Sequence, residues 1–206
     1  MTGRGRFITF EGPEGSGKST QLRMLGERLR TSGHDVLETQ EPGGTPIGIQ
    51  IRHVLLDAKN RELCPTAELL LMFASRAQNV DQLILPALSA GRTVLSDRFT
   101  DSTLVYQGVG RGLGADLVYE LDRIACRGLI PDLTLLIDID VETGLARARQ
   151  TRMEDQGVAF HRRVREAYRQ LAADESRRVK LIDGSQTREA VAEQVWEAVA
   201  LAITPA

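Results

Sequence analysis

The feature that most constrains the fold of this chain is a glycine-rich run near the N-terminus, GPEGSGKS at residues 12–19. Three glycines in six residues would weaken a strand or a helix. An apolar segment (7–10) precedes the run, and a segment with apolar residues at helical spacing (20–30) follows it. The sequence therefore predicts a strand, a tight loop and a helix. The spacing GxxxxGK[ST] in that context is typical of a loop that wraps phosphate groups.

Each residue type in this loop has an expected role in holding a nucleoside triphosphate. Lys18 is expected to bridge the β- and γ-phosphates, and the hydroxyl of Ser19 is expected to ligate Mg²⁺. The glycines let successive backbone N–H groups turn inward toward phosphate oxygens. A glycine-rich turn without a ligand is the alternative. The predicted ATP-binding loop comprises Gly12, Pro13, Glu14, Gly15, Ser16, Gly17, Lys18, Ser19 and Thr20.

Five short apolar runs alternate with helical patterns along the whole chain. They cover residues 6–10, 36–39, 93–96, 133–139 and 179–182, and each has the composition of a strand buried on both faces. Residues 65–90 predict one long helix, and its apolar excess is interpreted as core contacts together with a dimer surface. We expect an α/β P-loop NTPase fold with a five-stranded parallel sheet flanked by helices, in a single domain over residues 1–206.

Composition and charge exclude several classes of partner. The 26 basic and 28 acidic residues leave a net charge of −2, so no global field attracts nucleic acid. The sequence contains no apolar run near the ~20 residues that a membrane span requires, and no signal peptide is expected. Cys64 and Cys126 lack the spacing of a metal site or a disulfide framework. We expect a cytoplasmic protein that binds neither nucleic acid nor a membrane.

The third apolar run ends in Asp97-Arg98, which indicates a second phosphate site. Asp97 is expected to orient hydrated Mg²⁺, and the Arg98 guanidinium offers a bidentate fork to another phosphate. The sequence lacks the NKxD motif with which signalling GTPases read guanine. Phosphoryl transfer from a triphosphate to a monophosphate therefore fits best. A structural Asp-Arg ion pair and a non-catalytic nucleotide switch remain alternatives.

Over essentially its whole length the chain resembles the bacterial thymidylate kinases. The resemblance rests on FEGPEGSGKSTQ (10–21), EPGGTPIGIQIRHVLL (41–56), LMFASRAQ (71–78), LSDRFTDSTLVYQGVGRGL (95–113) and PDLTLLIDID (131–140). It implies Mg²⁺-dependent phosphorylation of dTMP to dTDP by ATP, in a homodimer. A kinase for another nucleoside monophosphate is the rival within enzymes.

The resemblance also implies an acceptor site. Phe73 is expected to stack on the thymine ring, although a phenylalanine at helical spacing is more often a core residue. Arg76 resembles the arginine that donates to thymine O4, and Tyr106 the ring that crowds a ribose 2′-hydroxyl. Taken alone, Arg52 would be a solvated helix charge. The expected dTMP-binding residues are Glu14, Arg52, Phe73, Arg76, Arg98, Thr103, Tyr106 and Gln107.

The phosphate loop contains no arginine, so the resemblance places the missing cations in a short mobile lid at about residues 147–160. Arg152 is expected to reach the γ-phosphate, and Arg147 to lie against the adenine or the donor phosphates. Arg162, Arg163 and Arg165 are equally consistent with a solvated helix face. Glu14 matches the carboxylate that faces the acceptor's 3′-hydroxyl, with a solvated loop position as the alternative. The expected catalytic residues are Lys18, Arg98, Arg152, Glu14 and Asp97, with Ser19 and Asp97 as Mg²⁺ ligands.

Overall fold

A five-stranded parallel sheet forms the centre of the protein in the computed structural model, which describes residues 4–148 and 156–203. The strands are β1 (Phe7–Glu11), β2 (Val36–Gln40), β3 (Thr93–Asp97), β4 (Leu133–Asp138) and β5 (Val179–Asp183). Their spatial order is β2-β3-β1-β4-β5, and every pairing is parallel. The predicted fold class is therefore confirmed. Each predicted strand matches an observed one, and no strand end differs from its predicted position by more than one residue.

Helices cover both faces of this sheet, as the buried strand pattern requires. They are α1 (Lys18–Thr31), α2 (Pro46–Leu56), α3 (Pro65–Asn79), α4 (Leu85–Ser89), α5 (Thr100–Thr103), α6 (Ala115–Cys126), α7 (Val141–Arg147), α8 (Val158–Asp174) and α9 (Arg188–Ile203). Because side chains alternate along a strand, neighbouring residues of β1 enter different cores. Ile8 packs with α1 and α9, whereas Phe7 packs with α3 and α6.

The long helix predicted over residues 65–90 is interrupted by a π-helical segment. The chain stays helical from α3 through Val80–Ile84 into α4, and the N–H of Leu85 donates to the carbonyl of Val80 five residues back. Pro86 follows directly. Proline has no N–H to donate, and its ring crowds the carbonyl of the preceding turn. A widened turn before Pro86 relieves that steric clash.

A second π-helical segment, Leu104–Gly110, continues α5. The glycine density of residues 108–114 (GVGRGLG) predicts an irregular connection. That prediction is wrong for residues 108–110, which are helical, and only 111–114 are irregular. The N–H of Arg111 donates to the carbonyl of Tyr106 at 2.9 Å, again across five residues. This widened turn brings Tyr106 and Gln107 to the cleft described below.

The carboxyl ends of all five strands lie at one edge of the sheet, where open α/β sheets bind ligands. The loop after β1, the Asp97-Arg98 pair after β3 and Gly184 after β5 all reach that edge. Among the described residues, no helix has the length and apolar character that crossing a bilayer requires.

Candidate active site

A cleft of about 870 Å³ runs along the carboxyl edge of the sheet, with the glycine-rich loop at its centre. At one end it is lined by Arg147, Gly184 and Arg188, and at the other by Arg76 and Tyr106. The two predicted nucleotide sites therefore open into one continuous space. Two loop residues predicted to bind phosphate, Gly12 and Pro13, contribute backbone behind the cleft instead of lining it.

The glycine-rich loop needs its glycines for backbone conformation and for close packing. Gly12, Gly15 and Gly17 have φ angles of 140°, 66° and 96°, a region that L side chains rarely adopt. A Cβ at Gly15 would lie 2.0 Å from the carbonyl oxygen of Gly144 in α7. The loop is thus pressed against α7. Gly17 precedes α1 without a side-chain cap, so the helix's first N–H groups face the cleft.

Lys18 is the first residue of α1, and its ammonium group folds back over the loop. The Nζ atom donates to the carbonyl oxygens of Gly12 at 3.0 Å and Pro13 at 2.7 Å, and to Ser16 Oγ at 3.3 Å. Burial, with a further contribution from the nearby charge of Arg98, lowers the pKa of Lys18 to about 8. Since the buried ammonium has no carboxylate within salt-bridge distance among the described residues, it is well suited to an incoming phosphate.

The two predicted Mg²⁺ ligands meet at the start of α1. The hydroxyl of Ser19 donates to Asp97 Oδ2, so a hydroxyl oxygen and a carboxylate oxygen lie side by side. Thr20, the next loop residue, also lines the cleft. A hard oxygen pair beside a phosphate loop fits Mg²⁺, which is usually bound by one or two carboxylates together with substrate phosphates and water.

Arg98 occupies the point where β3 ends, with a left-handed φ of 73°. Its Nη2 donates to Glu14 Oε1 at 2.9 Å, and its guanidinium lies 5.0 Å from the ring centroid of Tyr106. The Tyr106 hydroxyl also donates to Glu14, at 3.0 Å. Burial raises the pKa of Glu14, but the charges of Arg98 and Lys18 outweigh it and hold that pKa below its usual value. The carboxylate is therefore ionised between two cations.

Arg76 lines the end of the cleft that it shares with Tyr106, and it is buried, with 2% of its surface exposed. Its Nε donates to Glu41 Oε2 at 2.6 Å and its Nη2 to Thr103 Oγ1 at 2.9 Å. Asn79 donates to the other carboxylate oxygen of Glu41 at 3.0 Å. The Nη1 atom of Arg76 is also buried, and it finds no hydrogen-bond partner among the described residues. An oriented donor is thus left over beside the cleft.

Three further residues predicted for the acceptor site differ in how they meet the cleft. Phe73 packs in the core and is 4% exposed, and it is not among the residues that line the cleft. The Arg76 guanidinium lies 4.9 Å from the centroid of its ring. Arg52 lines the cleft and donates to the carbonyl of Pro42 at 2.8 Å, where the Glu41–Pro42 peptide bond is cis. Gln107 also lines the cleft, and its amide donates to Glu68 at 2.7 Å.

Arg147, the last residue of α7, lines the cleft together with Gly184 and Arg188. Arg149 and Arg152 lie outside the described residues, so the predicted choice of Arg152 stays a prediction. Two arginines of α8 already have acidic partners. Arg162 pairs with Glu142 at 2.5 Å, and Arg165 donates to both oxygens of Asp138 at 2.7 and 2.9 Å.

Sequence reasoning missed several residues that shape the cleft. Glu41 holds Arg76, but in the sequence it is only the first residue of the segment 41–56 that carries the family resemblance. Gln21, which is 3% exposed, donates to the carbonyl of Arg188 at 2.9 Å, and its buried Oε1 has no partner in the described ranges. The helical spacing of Gln21 gave no signal, because a polar residue in a first helical turn is usually exposed.

Comparison with known proteins shows which family this chain belongs to. The family model described as thymidylate kinase matches residues 10–195. A thymidylate kinase of Pelobacter propionicus is 50% identical over 201 residues, covering 93% of this chain and 92% of the relative. One from Halothermothrix orenii is 51% identical over 203 residues, covering 95% and 97%.

A solved structure agrees with these relatives. The crystal structure of thymidylate kinase from Ehrlichia chaffeensis matches with a TM-score of 0.80 and 32% identity, covering 96% of this chain and 99% of the other. The phosphate loop, the Asp97-Arg98 pair and the buried Arg76 all lie within the matched range. The chain belongs to the thymidylate kinase family.

Proposed function

We propose that this protein transfers the γ-phosphoryl group of ATP to dTMP, giving ADP and dTDP. The observation that carries the acceptor assignment is the buried Nη1 atom of Arg76, a cationic donor without a partner among the described residues. A bound ligand that leaves a buried donor of this kind without an acceptor loses about 1–3 kcal/mol of binding free energy. The 4-carbonyl of thymine supplies an acceptor, whereas the 4-amino group of cytosine supplies another donor.

The remaining acceptor contacts follow from the same pocket. Arg98, placed at the end of β3 near the phosphate loop, is proposed to bind the phosphate of dTMP, and Arg52 and Gln107 to line its path. Tyr106 is proposed to exclude a ribose 2′-hydroxyl, since its ring is buried and held by a hydrogen bond to Glu14. As the resemblance to thymidylate kinases implies, Thr103, which lines the cleft, is proposed to meet the edge of the base. Phe73 is proposed to stack on the thymine ring, which requires the cleft to open further toward it, because only 4% of this residue is exposed here.

Catalysis is proposed to depend on positioning and charge neutralisation. An oxygen of the acceptor phosphate attacks the γ-phosphorus, and the bond from that phosphorus to the β,γ-bridging oxygen breaks. No general base is required, because the attacking oxygen is already anionic at neutral pH. Lys18 and Arg98 are proposed to neutralise charge on the donor and acceptor sides. Glu14 is proposed to face the acceptor sugar, with Arg152 of a lid at about residues 147–160 reaching the transferred group.

Mg²⁺ is proposed as the cofactor, held by Ser19 and Asp97 together with the phosphates of ATP. The adjacent oxygens of these two side chains support this assignment. When bound, the ion would neutralise phosphate charge and orient the triphosphate. The protein's own part is to place the Ser19 hydroxyl at the first turn of α1 and the Asp97 carboxylate at the end of β3.

A homodimer and a cytoplasmic location complete the proposal. Apolar side chains that are 41–52% exposed lie on α2 and α3, two helices that pack together: Ile47, Ile49, Val54 and Leu70. A surface of this kind supports association with a second copy. The two free cysteines, Cys64 and Cys126, are compatible with a reducing compartment.

A coupled assay of ADP release, with and without dTMP, tests whether the protein is a kinase. We expect ADP release that depends on both dTMP and Mg²⁺. Binding of ATP without rapid transfer to any monophosphate would instead show a nucleotide switch, which shares the phosphate loop but needs no acceptor pocket.

A further inference from the structure

Glu11 is a buried carboxylate that the proposed mechanism does not use. It is the last residue of β1, directly before the phosphate loop, and it is 0% exposed. Its Oε1 accepts from the backbone N–H of Phe99 at 2.7 Å. Its Oε2 accepts from the hydroxyls of Ser102 at 2.5 Å and Tyr168 at 3.0 Å. Glu11 thus joins four elements: β1, the end of β3, α5 and α8.

Both hydroxyls that donate to Glu11 also contact the guanidinium of Arg98. Arg98 Nη1 lies 3.0 Å from Ser102 Oγ and 3.3 Å from the Tyr168 hydroxyl. A hydroxyl has one proton to donate, and an ionised carboxylate can only accept. Ser102 Oγ and the Tyr168 hydroxyl also lie 2.8 Å apart, so either of them could donate to the other. When the ionised carboxylate of Glu11 takes both protons instead, lone pairs of both hydroxyl oxygens are left for Arg98. The carboxylate therefore sets the direction of two hydrogen bonds that it does not itself make.

Glu11 also fastens the backbone next to Arg98. The left-handed φ of 73° at Arg98 is unfavourable for a residue with a side chain, so surrounding contacts must hold it. Phe99, the residue directly after Arg98, donates its N–H to Glu11. The N–H of Arg98 itself donates to the carbonyl of Phe10 at 2.9 Å. Both the backbone and the head group of Arg98 are thereby tied to the end of β1.

We propose that Glu11 is a positioning residue for Arg98, which it aims at the acceptor phosphate through the Phe99 amide and the Ser102 and Tyr168 hydroxyls. This inference rests on the proposed function, because it takes Arg98 as the ligand of the acceptor phosphate. Glu11 does not line the cleft, so it acts through its neighbours and does not touch substrate.

The electrostatic cost of this carboxylate supports a role beyond packing. Burial raises the pKa of Glu11 to about 7, Asp101 raises it as well, and Arg98 together with the hydrogen bonds from Ser102 and Phe99 opposes them. An apolar side chain of similar size would avoid the desolvation of a buried carboxylate. It could not, however, accept protons from the two hydroxyls.

A double-mutant cycle between Glu11 and Arg98 tests the proposal. Glu11→Gln keeps the side-chain volume but puts an amide donor where a carboxylate oxygen accepted two hydroxyls. We expect kcat/KM for dTMP to fall by about tenfold to a hundredfold, since misplacing a reacting group by about 1 Å has effects of that size. The dissociation constant for ATP should change by less than about twofold. In an Arg98→Ala background, Glu11→Gln should add little, because the two effects share one route.

Thr9→Val is the matched control. Thr9 is also buried in β1, and its hydroxyl hydrogen-bonds to Thr134 at 2.8 Å without contacting Arg98. This variant should leave kcat/KM for dTMP within about twofold of wild type. Whatever small loss it causes should add to the loss caused by Arg98→Ala in the double variant. Should Glu11→Gln fail to fold, the Ser102→Ala/Tyr168→Phe double variant, which removes both hydroxyls, takes its place in the cycle.

The outcomes separate the inference from the function on which it rests. Losses that add in the cycle, or a normal kcat/KM in the Glu11→Gln protein, would overturn the positioning role while leaving dTMP kinase activity intact. A wild-type protein that does not turn over dTMP would instead overturn the proposed function.

Discussion

Replacing Arg76 by methionine should destabilise the protein far more than breaking an exposed ion pair. Arg76 Nε and Glu41 Oε2 lie 2.6 Å apart, with only 2% of either side chain exposed. Methionine fills much of the volume over the Phe73 ring but, in the part of the chain that the structure describes, leaves Glu41 with Asn79 as its remaining side-chain donor. Removing one partner of a buried ion pair typically costs about 3–5 kcal/mol in the free energy of unfolding. We expect a loss in that range from urea denaturation.

Two companion variants show whether the loss comes from the orphaned carboxylate. Arg76→Met/Glu41→Gln removes the charge that Arg76→Met leaves buried, so it should recover at least about 2 kcal/mol. Arg28→Met breaks a pair with Glu193 at 2.8 Å whose side chains are 40% and 63% exposed. That control should cost about 1 kcal/mol or less.

The pH dependence of the Arg76→Met protein provides an independent check. Burial raises the pKa of Glu41, Arg76 and Asn79 oppose that rise, and Asp122 adds to it. Without Arg76 the pKa of Glu41 rises further. The folded protein then holds a proton that the unfolded chain releases near the ordinary value of 4.5, so stability falls as pH rises through the new pKa. The loss relative to wild type should be larger at pH 8 than at pH 5. A pH-independent loss, or a double variant no more stable than Arg76→Met, would refute this reasoning.

Three further substitutions test individual roles in catalysis. Glu14→Ala removes the carboxylate that accepts from Arg98 and Tyr106; kcat/KM for dTMP should fall at least about tenfold while the ATP dissociation constant, measured by calorimetry, stays within about twofold. Arg152→Ala should slow single turnover by about a thousandfold, as expected for a cation acting in the transition state, and an equal loss of dTMP affinity would place this residue in the acceptor pocket. Tyr106→Leu removes the ring that is proposed to exclude a ribose 2′-hydroxyl, so the preference for deoxyribose over ribose in steady-state comparisons should fall by about tenfold. An unchanged preference would contradict the steric role.

The sheet and the phosphate loop could be predicted because their signals are local. Each buried parallel strand is a short apolar run, and the loop GPEGSGKS carries its glycines and lysine at fixed spacing. The two π-helical segments could not be predicted this way. Their widened turns depend on backbone hydrogen bonds that reach back one residue further than in an α-helix, which leaves the apolar pattern of Val80–Ile84 unchanged.

The side-chain hydrogen bonds and ion pairs inside the candidate site also could not be predicted from the sequence. Glu41 and Arg76 are 35 residues apart, and Glu11 and Tyr168 are 157 apart, so only the folded sheet brings them together. Arg76 itself was found through the family resemblance, since an arginine on a helix is ordinarily solvated. A buried carboxylate such as Glu11 gives no pattern, because its surroundings come from β3, α5 and α8.

A steady-state comparison of dTMP, dUMP, dCMP and dGMP as acceptors, with ATP and Mg²⁺, tests the central claim most directly. The Nη1 donor of Arg76, which has no partner within residues 4–148 and 156–203, predicts that dTMP is turned over well and that dCMP is strongly disfavoured. Equal or faster turnover of dCMP would contradict the assignment of this pocket to thymine.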